Sequence, residues 1–362
     1  MHCRGISPGT ARPIPRPAGN LGKLYRQTTA ILTASPTATT ASRDPIKLAG
    51  DSKIICQVQI PYERSDAVLN VSGLNASISR TLFVSDLDGT LLRPDGSLGD
   101  RTVRVVNELI SMGGLFTYAT ARSYTRSSPV TARLDLELPV ITYGGAIIVD
   151  PGSGTPRAAA TLPTRVVDAV QHAAAPEGSL HLILYAIHAG RDRVCWLARR
   201  GPGPVERWSN DPRLFPLGEW TQIDPANVFC ISVIGEPGAL QTFRDGLAAD
   251  LADCHAVFGE DVYTPGEYWL ELTSLKGTKG VALDTVRQEV GADRLVCFGD
   301  NHGDLSMFAV ADISLAVANA APEVKQAATD VIGANSDEGV AEWLASYLSG
   351  DEVVASSGQP AT

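Results

Sequence analysis

No stretch of this 362-residue chain approaches the roughly 18 uninterrupted apolar residues of a membrane-spanning helix. Its richest apolar run, Leu180 to Ile187, is strand-length and broken by His181, so a transmembrane protein is not expected. Cysteine is sparse and scattered: Cys3, Cys56, Cys195, Cys230, Cys254 and Cys297 form no Cys-x-x-Cys pair. A chain this long needs no disulfide staples, which points to reduced thiols in a cytoplasmic setting. Basic residues are too few for a nucleic-acid groove, which must neutralise a long track of phosphates. Residues 1–80 hold 10 Lys+Arg against 4 Asp+Glu, whereas the remainder holds 20 against 36 and is strongly acidic. At 44% hydrophobic and 19% charged, the composition is that of a globular protein and too apolar for a disordered one.

Residues 1–78 carry no structural periodicity. Pro8, Pro13, Pro15 and Pro17 forbid a continuous helix, and Thr33 to Ser42 is a Thr/Ala/Ser tract. The segment reads as a disordered N-terminal extension. Its arginines and lack of acids before Asp44 leave organellar import as an alternative, which the prolines count against. Residues 350–362 read as a flexible tail.

From residue 81 the texture changes. Thr81 to Ser85, Leu115 to Ala119, Pro139 to Thr142 and Ala146 to Val149 read as strands, with helices at Asp100 to Met112 and from Ser123. Residues 161–270 read as a separate α+β unit, with strands Leu180–Ile187, Arg193–Leu197 and Val228–Ile234 and helices Thr164–Ala174 and Gly238–Leu251. Alternation resumes with helix 278–290, strand Arg294–Phe298, helix 303–309, strand Ile313–Val317 and helix 337–349. The fold class is therefore α/β: a Rossmann-like parallel-sheet core, 81–160 and 271–349, with an inserted α+β cap, 161–270.

Four segments carry chemistry. Asp86-Leu-Asp88-Gly-Thr90 ends the first strand, where extended geometry turns residues two apart to one face. Two carboxylates about 4 Å apart repel by roughly 4 kcal/mol, which implies a cation or a shared proton; the same segment is also ordinary turn chemistry. Ala119-Thr120-Ala121-Arg122 ends the second strand with a hydroxyl able to donate to a phosphoryl oxygen or to cap a helix. Thr278-Lys279-Gly280 opens a helix, where a lysine opposes the dipole and wants an anion nearby; Lys276, in the preceding loop, is the weaker candidate. Gly299-Asp300-Asn-His-Gly-Asp304 follows an apolar strand with two more carboxylates. Hard oxygen donors without Cys/His spacing select Mg²⁺ over Zn²⁺. His302 reads as a solvated loop residue.

The order Asp-x-Asp-Gly-Thr, Thr-x-Arg, Lys-Gly, Gly-Asp-x-x-x-Asp resembles the haloacid dehalogenase-like (HAD) superfamily. The insert, the Thr-Lys-Gly-x-Ala-Leu wording and the tail Val317 to Lys325 resemble its Cof-type branch, over about residues 81–349. The resemblance implies Asp86 as nucleophile forming an aspartyl phosphate and Asp88 as general acid and base. It implies Thr120, Lys279 and Arg122 at the substrate phosphate, and Mg²⁺ on Asp86, the Asp88 backbone carbonyl, Asp300 and Asp304. Ala121 stands where the family has Gly, Gly144 where an Asn-Gly-Ala turn has Asn, and Gly303 where Asn precedes the last Asp. The expected activity is Mg²⁺-dependent hydrolysis of a small phosphorylated metabolite, a sugar phosphate or phosphorylated cofactor, without nucleic-acid or membrane partners. A phosphomutase sharing the aspartyl phosphate, and a weakly catalytic ligand- or partner-binding relative, are the alternatives. Tyr268, Trp269 and Glu271, near the exit of the insert, are candidates for substrate contact or for packing.

Because no motif precedes residue 81, a protein starting at Ile78 or Ser79 is expected to fold and keep its turnover. Solubility and phosphate release compared with the full chain check this; an insoluble or inactive truncation beside an active full chain refutes it.

Overall fold

The computed structural model describes residues 75–174, 180–198, 210–260 and 266–350. The expectations for most of 1–78 and for 351–362 lie outside the described residues. Ile78 is buried in the core, so a start at Ile78 keeps an anchor that a start at Ser79 loses.

The chain enters through β1 (Thr81–Ser85), α1 (Asp100–Ser111), β2 (Leu115–Tyr118) and α2 (Tyr124–Thr131). Next come β3 (Val140–Thr142), β4 (Ile147–Val149) and β5 (Pro156–Ala159). β3 and β4 form an antiparallel hairpin extended by β5, and β3 meets the parallel sheet only through the Ala119–Ile141 bridge. The sequence reading did not distinguish this hairpin from further parallel strands, because a short apolar run carries no sign of its partner's direction.

The insert follows: α3 (Thr164–Ala173), β6 (His181–His188), β7 (Arg191–Leu197), β8 (Leu214–Leu217), β9 (Val228–Gly235), α4 (Pro237–Gly246), β10 (Cys254–Glu260) and β11 (Tyr268–Ser274). These six strands make one sheet in the order β10-β11-β9-β6-β7-β8. β11 crosses the 270/271 boundary expected from the sequence. Three of these strands escaped the sequence reading. Pro216 sits inside β8, an edge strand where a missing N–H is tolerated. β10 alternates apolar and polar residues too unevenly to separate from loop, whereas β11, which alternates regularly from Leu270, is read from the sequence only as the exit of the insert.

The chain returns through α5 (Lys279–Val290), β12 (Arg294–Gly299), α6 (Leu305–Phe308), β13 (Ile313–Val317), α7 (Pro322–Ala327), β14 (Asp330–Ile332) and α8 (Gly339–Ser349). The parallel sheet has the order β14-β13-β12-β1-β2. β1 is fully buried and flanked by β12 and β2, as its apolar run requires. α8 packs on the strands through edge-on rings: Tyr347 lies 5.2 Å from Phe83, and Trp343 lies 5.4 Å from Phe298. From β1 the chain crosses to β2 on one side, and from β12 to β13 on the other. The crevice therefore opens between β1 and β12 at their carboxyl ends.

The insert sheet covers α3 and α4 with one face, through Leu182, Leu184, Ile231, Val233, Leu270 and Leu272. Its other face meets the core at Tyr143, whose ring packs edge-on against Phe229 at 4.9 Å and Tyr185 at 6.2 Å. The Tyr143 hydroxyl donates to Asp192 at 2.6 Å and accepts from Arg213, which also grips Asp211. Burial, more than the neighbouring charges, raises the pKa of Tyr143 and keeps it a protonated donor.

Tyr143→Phe keeps the ring and removes the hydroxyl that joins core to insert. A buried hydrogen bond to charged partners is worth about 1.5–3 kcal/mol, so denaturant unfolding is expected to show a loss of that order. An unchanged midpoint would show that the packing of the Tyr143 ring and the Arg126–Asp211 ion pair, not the hydroxyl, hold the two units together.

Candidate active site

β1 extends past its last residue by one hydrogen bond, from Asp86 N–H to the Phe298 carbonyl of β12 at 3.0 Å. The chain then curls through Leu87–Leu91, with Gly89 at φ +86. A side chain at Gly89 would collide with the Asp300 carboxylate, so glycine alone allows this turn to close against β12. The curl separates the two carboxylates that a straight strand would align. Asp86 points to Lys279, whereas Asp88 forms a two-pronged pair with Arg122, Nε to Oδ2 at 2.6 Å and Nη2 to Oδ1 at 2.5 Å. Arg122, read from the resemblance as a phosphate contact, here holds Asp88.

Thr120, at the end of β2, is buried and accepts the Arg122 N–H at 3.1 Å. The turn Tyr143–Gly145 braces this loop, its backbone N–H groups donating to the carbonyls of Arg122 and Thr120 at 3.0 and 2.9 Å. Gly144, standing where the related turn carries Asn, has φ +66. Asn and Gly both tolerate that region, so the substitution keeps the backbone and removes only the amide. Gly145 lies so close to the Thr278–Lys279 backbone that a Cβ would overlap it, which brings the start of α5 against the Thr120 loop.

Thr278 caps α5 by accepting the Val281 N–H at 3.3 Å. The buried Lys279 then reaches inward and donates to Asp86 Oδ1 and Asp304 Oδ1, each at 2.6 Å. These are the anions that a lysine at a helix start requires. Burial works against its charge, but Asp304 and Asp86 outweigh burial and raise its pKa. Lys276 is exposed.

Asp300 and Asp304 flank a tight turn at the end of β12. Asp304 Oδ2 accepts the N–H groups of Asp300 and Asn301, both at 2.9 Å, leaving Oδ1 for Lys279. This capping ties the loop despite Gly303. Asp300 Oδ1 accepts from Thr90 at 3.1 Å. The sequence reading quoted Thr90 inside its motif without a role. Asn319, which donates to the Gly89 carbonyl at 2.7 Å, had no signal beyond its place in the related tail. His302 is exposed and faces Glu323 at 3.7 Å.

Ligand atoms of Asp86, Asp300 and Asp304 lie within 4.8 Å of one another, all three residues buried, with Lys279 as the cation among them. Ionised together, the three carboxylates leave two negative charges uncompensated. Burial, reinforced by Asp304, pushes the Asp300 carboxyl up to about 6. Burial likewise raises Asp86, with Lys279 opposing and Asp304 and Asp300 adding to the rise. Deep, converging, hard oxygen donors with excess negative charge suit a divalent cation such as Mg²⁺. The Asp88 carboxylate lies outside this cluster.

Among the described residues no helix is long and apolar enough to cross a membrane. The chain is 26% identical over 273 residues to an HMP-PP phosphatase of Yersinia pseudotuberculosis, covering 74% of this chain and 95% of that one. It is 24% identical to the 5-amino-6-(5-phospho-D-ribitylamino)uracil phosphatase of Bacillus subtilis, covering 74% and 97%. Solved structures with the same fold include a protein from Thermotoga maritima, with TM-score 0.61 and 25% identity over 73% of this chain and 96% of that one. A haloacid dehalogenase-like hydrolase from Bacteroides thetaiotaomicron matches with TM-score 0.59 and 23% identity, over 73% and 98%. The sequence profile of the haloacid dehalogenase-like hydrolases matches residues 83–344, and the chain belongs to that family.

Proposed function

We propose that this phosphoric monoester hydrolase releases phosphate from a small phosphorylated metabolite through an aspartyl phosphate on Asp86, with Mg²⁺ held by Asp86, Asp300 and Asp304 and the six-stranded unit closing over the crevice as a cap. The observation that carries this reading is the buried Lys279, bound at once to Asp86 and Asp304 beside Asp300. Bound there, Mg²⁺ would neutralise charge on the phosphoryl oxygens and keep Asp86 ionised. Asp86 attacks phosphorus in line, forming the acyl-phosphate bond as the bond to the leaving oxygen breaks. Asp88 gives that oxygen its proton, so the alcohol departs neutral. Water then attacks the phosphoryl group and passes a proton to the Asp88 carboxylate, restoring both aspartates and freeing phosphate. Lys279 holds Asp86 in line, and with the Thr120 hydroxyl it offers donors to the phosphoryl oxygens. Arg122 positions Asp88 through its paired nitrogens. The two curated relatives carry names of phosphatases for small phosphorylated metabolites, which supports a substrate of that size. A phosphomutase would share the first step but retain the phosphoryl group, so released phosphate separates the two.

Asp300→Asn, or EDTA added to the unaltered protein, is expected to lower phosphate release by about a hundredfold or more. Full activity in EDTA would refute the metal assignment. Asp86→Asn is expected to lose both turnover and covalent phosphate. Asp88→Asn, supplied with an activated aryl phosphate whose leaving group needs little protonation, is expected to accumulate one phosphoryl group per chain. Intact-protein mass spectrometry after acid quench reads this. Phosphoenzyme on Asp86→Asn with none on Asp88→Asn would reverse the roles.

A further inference from the structure

Among the described ionisable groups on the face of the insert sheet turned away from α3 and α4, Glu271 has no use in the mechanism above and no charged partner, with Tyr185 and Cys230 as its nearest titratable neighbours. Glu271 stands on β11 between the apolar Leu270 and Leu272, which point to the insert's own helices. Its side chain is therefore on the opposite face, as period-two alternation requires. On that face its strand partners are Ser232 of β9 and Val257 of β10, and Ile183 of β6 lies beyond Ser232. Glu271 is largely enclosed by protein but keeps a solvent-accessible edge. Among the described residues nothing donates a hydrogen bond to it and no cation pairs with it.

The same face runs down to the crevice. Tyr185 and Phe229, on the neighbouring strands, pack against Tyr143, whose turn donates backbone hydrogen bonds to the Thr120 loop. β11 itself leaves the sheet at Ser274, three residues or about 10 Å of strand from Glu271, and the chain then turns into Lys279. Cations near this path are engaged elsewhere: Lys279 by Asp86 and Asp304, Arg213 by Asp211 and Tyr143. With the insert closing over the crevice as proposed above, a cationic, hydroxyl-bearing floor would face a sheet surface that bears this unpaired carboxylate. A carboxylate taken from water without a partner is unfavourable, and a ligand donor removes the penalty. In its absence burial alone pushes the Glu271 carboxyl up to about 7. Trp269, two residues along the same face, adds a planar apolar wall with Ile183 and Ile234.

We infer that Glu271 selects the leaving group, and that the preferred substrates are phosphate monoesters whose leaving group bears an amino group, on a sugar or a heterocycle. This rests on the phosphatase reading above. Esters with an acidic leaving group are disfavoured by like charge.

Matched pairs test it: glucosamine 6-phosphate against glucose 6-phosphate, and pyridoxamine 5′-phosphate against pyridoxal 5′-phosphate. Binding is measured by calorimetry on full-length Asp86→Asn protein with Mg²⁺, so the result does not depend on turnover, and phosphate release from the unaltered protein is measured in parallel. The amine of at least one pair is expected to bind about tenfold tighter or better, with kcat/KM following in the same ratio. Adding Glu271→Gln is expected to bring that ratio to within about twofold. Equal binding of amine and hydroxyl or aldehyde twins before Glu271 is altered overturns the inference, whatever the variant does. A preference that survives Glu271→Gln in a protein with an unchanged melting curve overturns the role of this residue. If no ester binds and none is hydrolysed, the phosphatase reading fails and this inference with it, whereas binding without discrimination sinks the inference alone.

Discussion

Lys279 ties together three segments that are far apart in the chain. Its ammonium group bonds the residue after β1 and the residue closing the turn after β12, 193 and 25 positions away. Placing a lysine at a helix N-terminus and burying it are both unfavourable on their own. Two carboxylates at 2.6 Å offset these costs, and removing Lys279 leaves three buried acids without a cation. The backbone is shaped to permit this contact. Gly89, Gly145 and Gly280 each stand where a Cβ would strike Asp300, the Thr278–Lys279 backbone or the Ser306 carbonyl. The glycines in these motifs therefore do steric work, and the acids and the lysine carry the charge.

One cation does not balance three acids, and that excess is the chemical content of the site. Nothing in packing explains three buried carboxylates whose oxygens converge within 4.8 Å. Burial first, and the neighbouring acids after it, raise the pKa values of Asp86 and Asp300 and make both reluctant to ionise. A divalent ion held there would remove that reluctance and, on the proposed mechanism, keep Asp86 ionised for attack. Asp88 is kept apart by Arg122, so the two carboxylates of one short motif meet different environments. On the proposed mechanism, that separation would let neighbouring, chemically identical side chains divide attack and proton transfer.

The insert reaches the site through Tyr143. The turn bearing Tyr143 braces the Thr120 loop with backbone hydrogen bonds, and its side chain is enclosed by insert residues. A change in the insert's position is thereby felt at the loop expected to receive phosphate. The sheet face that meets Tyr143 combines an apolar cluster of Ile183, Val194, Ile234 and Trp269 with polar groups, Glu271 among them.

Much of this was legible in the sequence. The four motifs, their order at strand ends, the parallel core and the interrupting α+β unit all follow from local signals: apolar runs, helix starts, and glycines beside acids. These are properties of a few consecutive residues. β8, with its proline, and β14, with three residues, carried too little of any such signal, and the hairpin direction of β3 and β4 carried none. The partners of the charged groups were equally illegible. Arg122 sits two residues from Thr120 and was read with it, yet it binds Asp88, 34 positions earlier. Thr90 serves Asp300 across 210 positions, and Tyr143 serves the insert across 49. A sequence states which groups are available and which local geometry presents them. Only the packing of sheet, helices and insert brings remote charges within hydrogen-bonding range, and at these distances that choice of partner decides what each group can do.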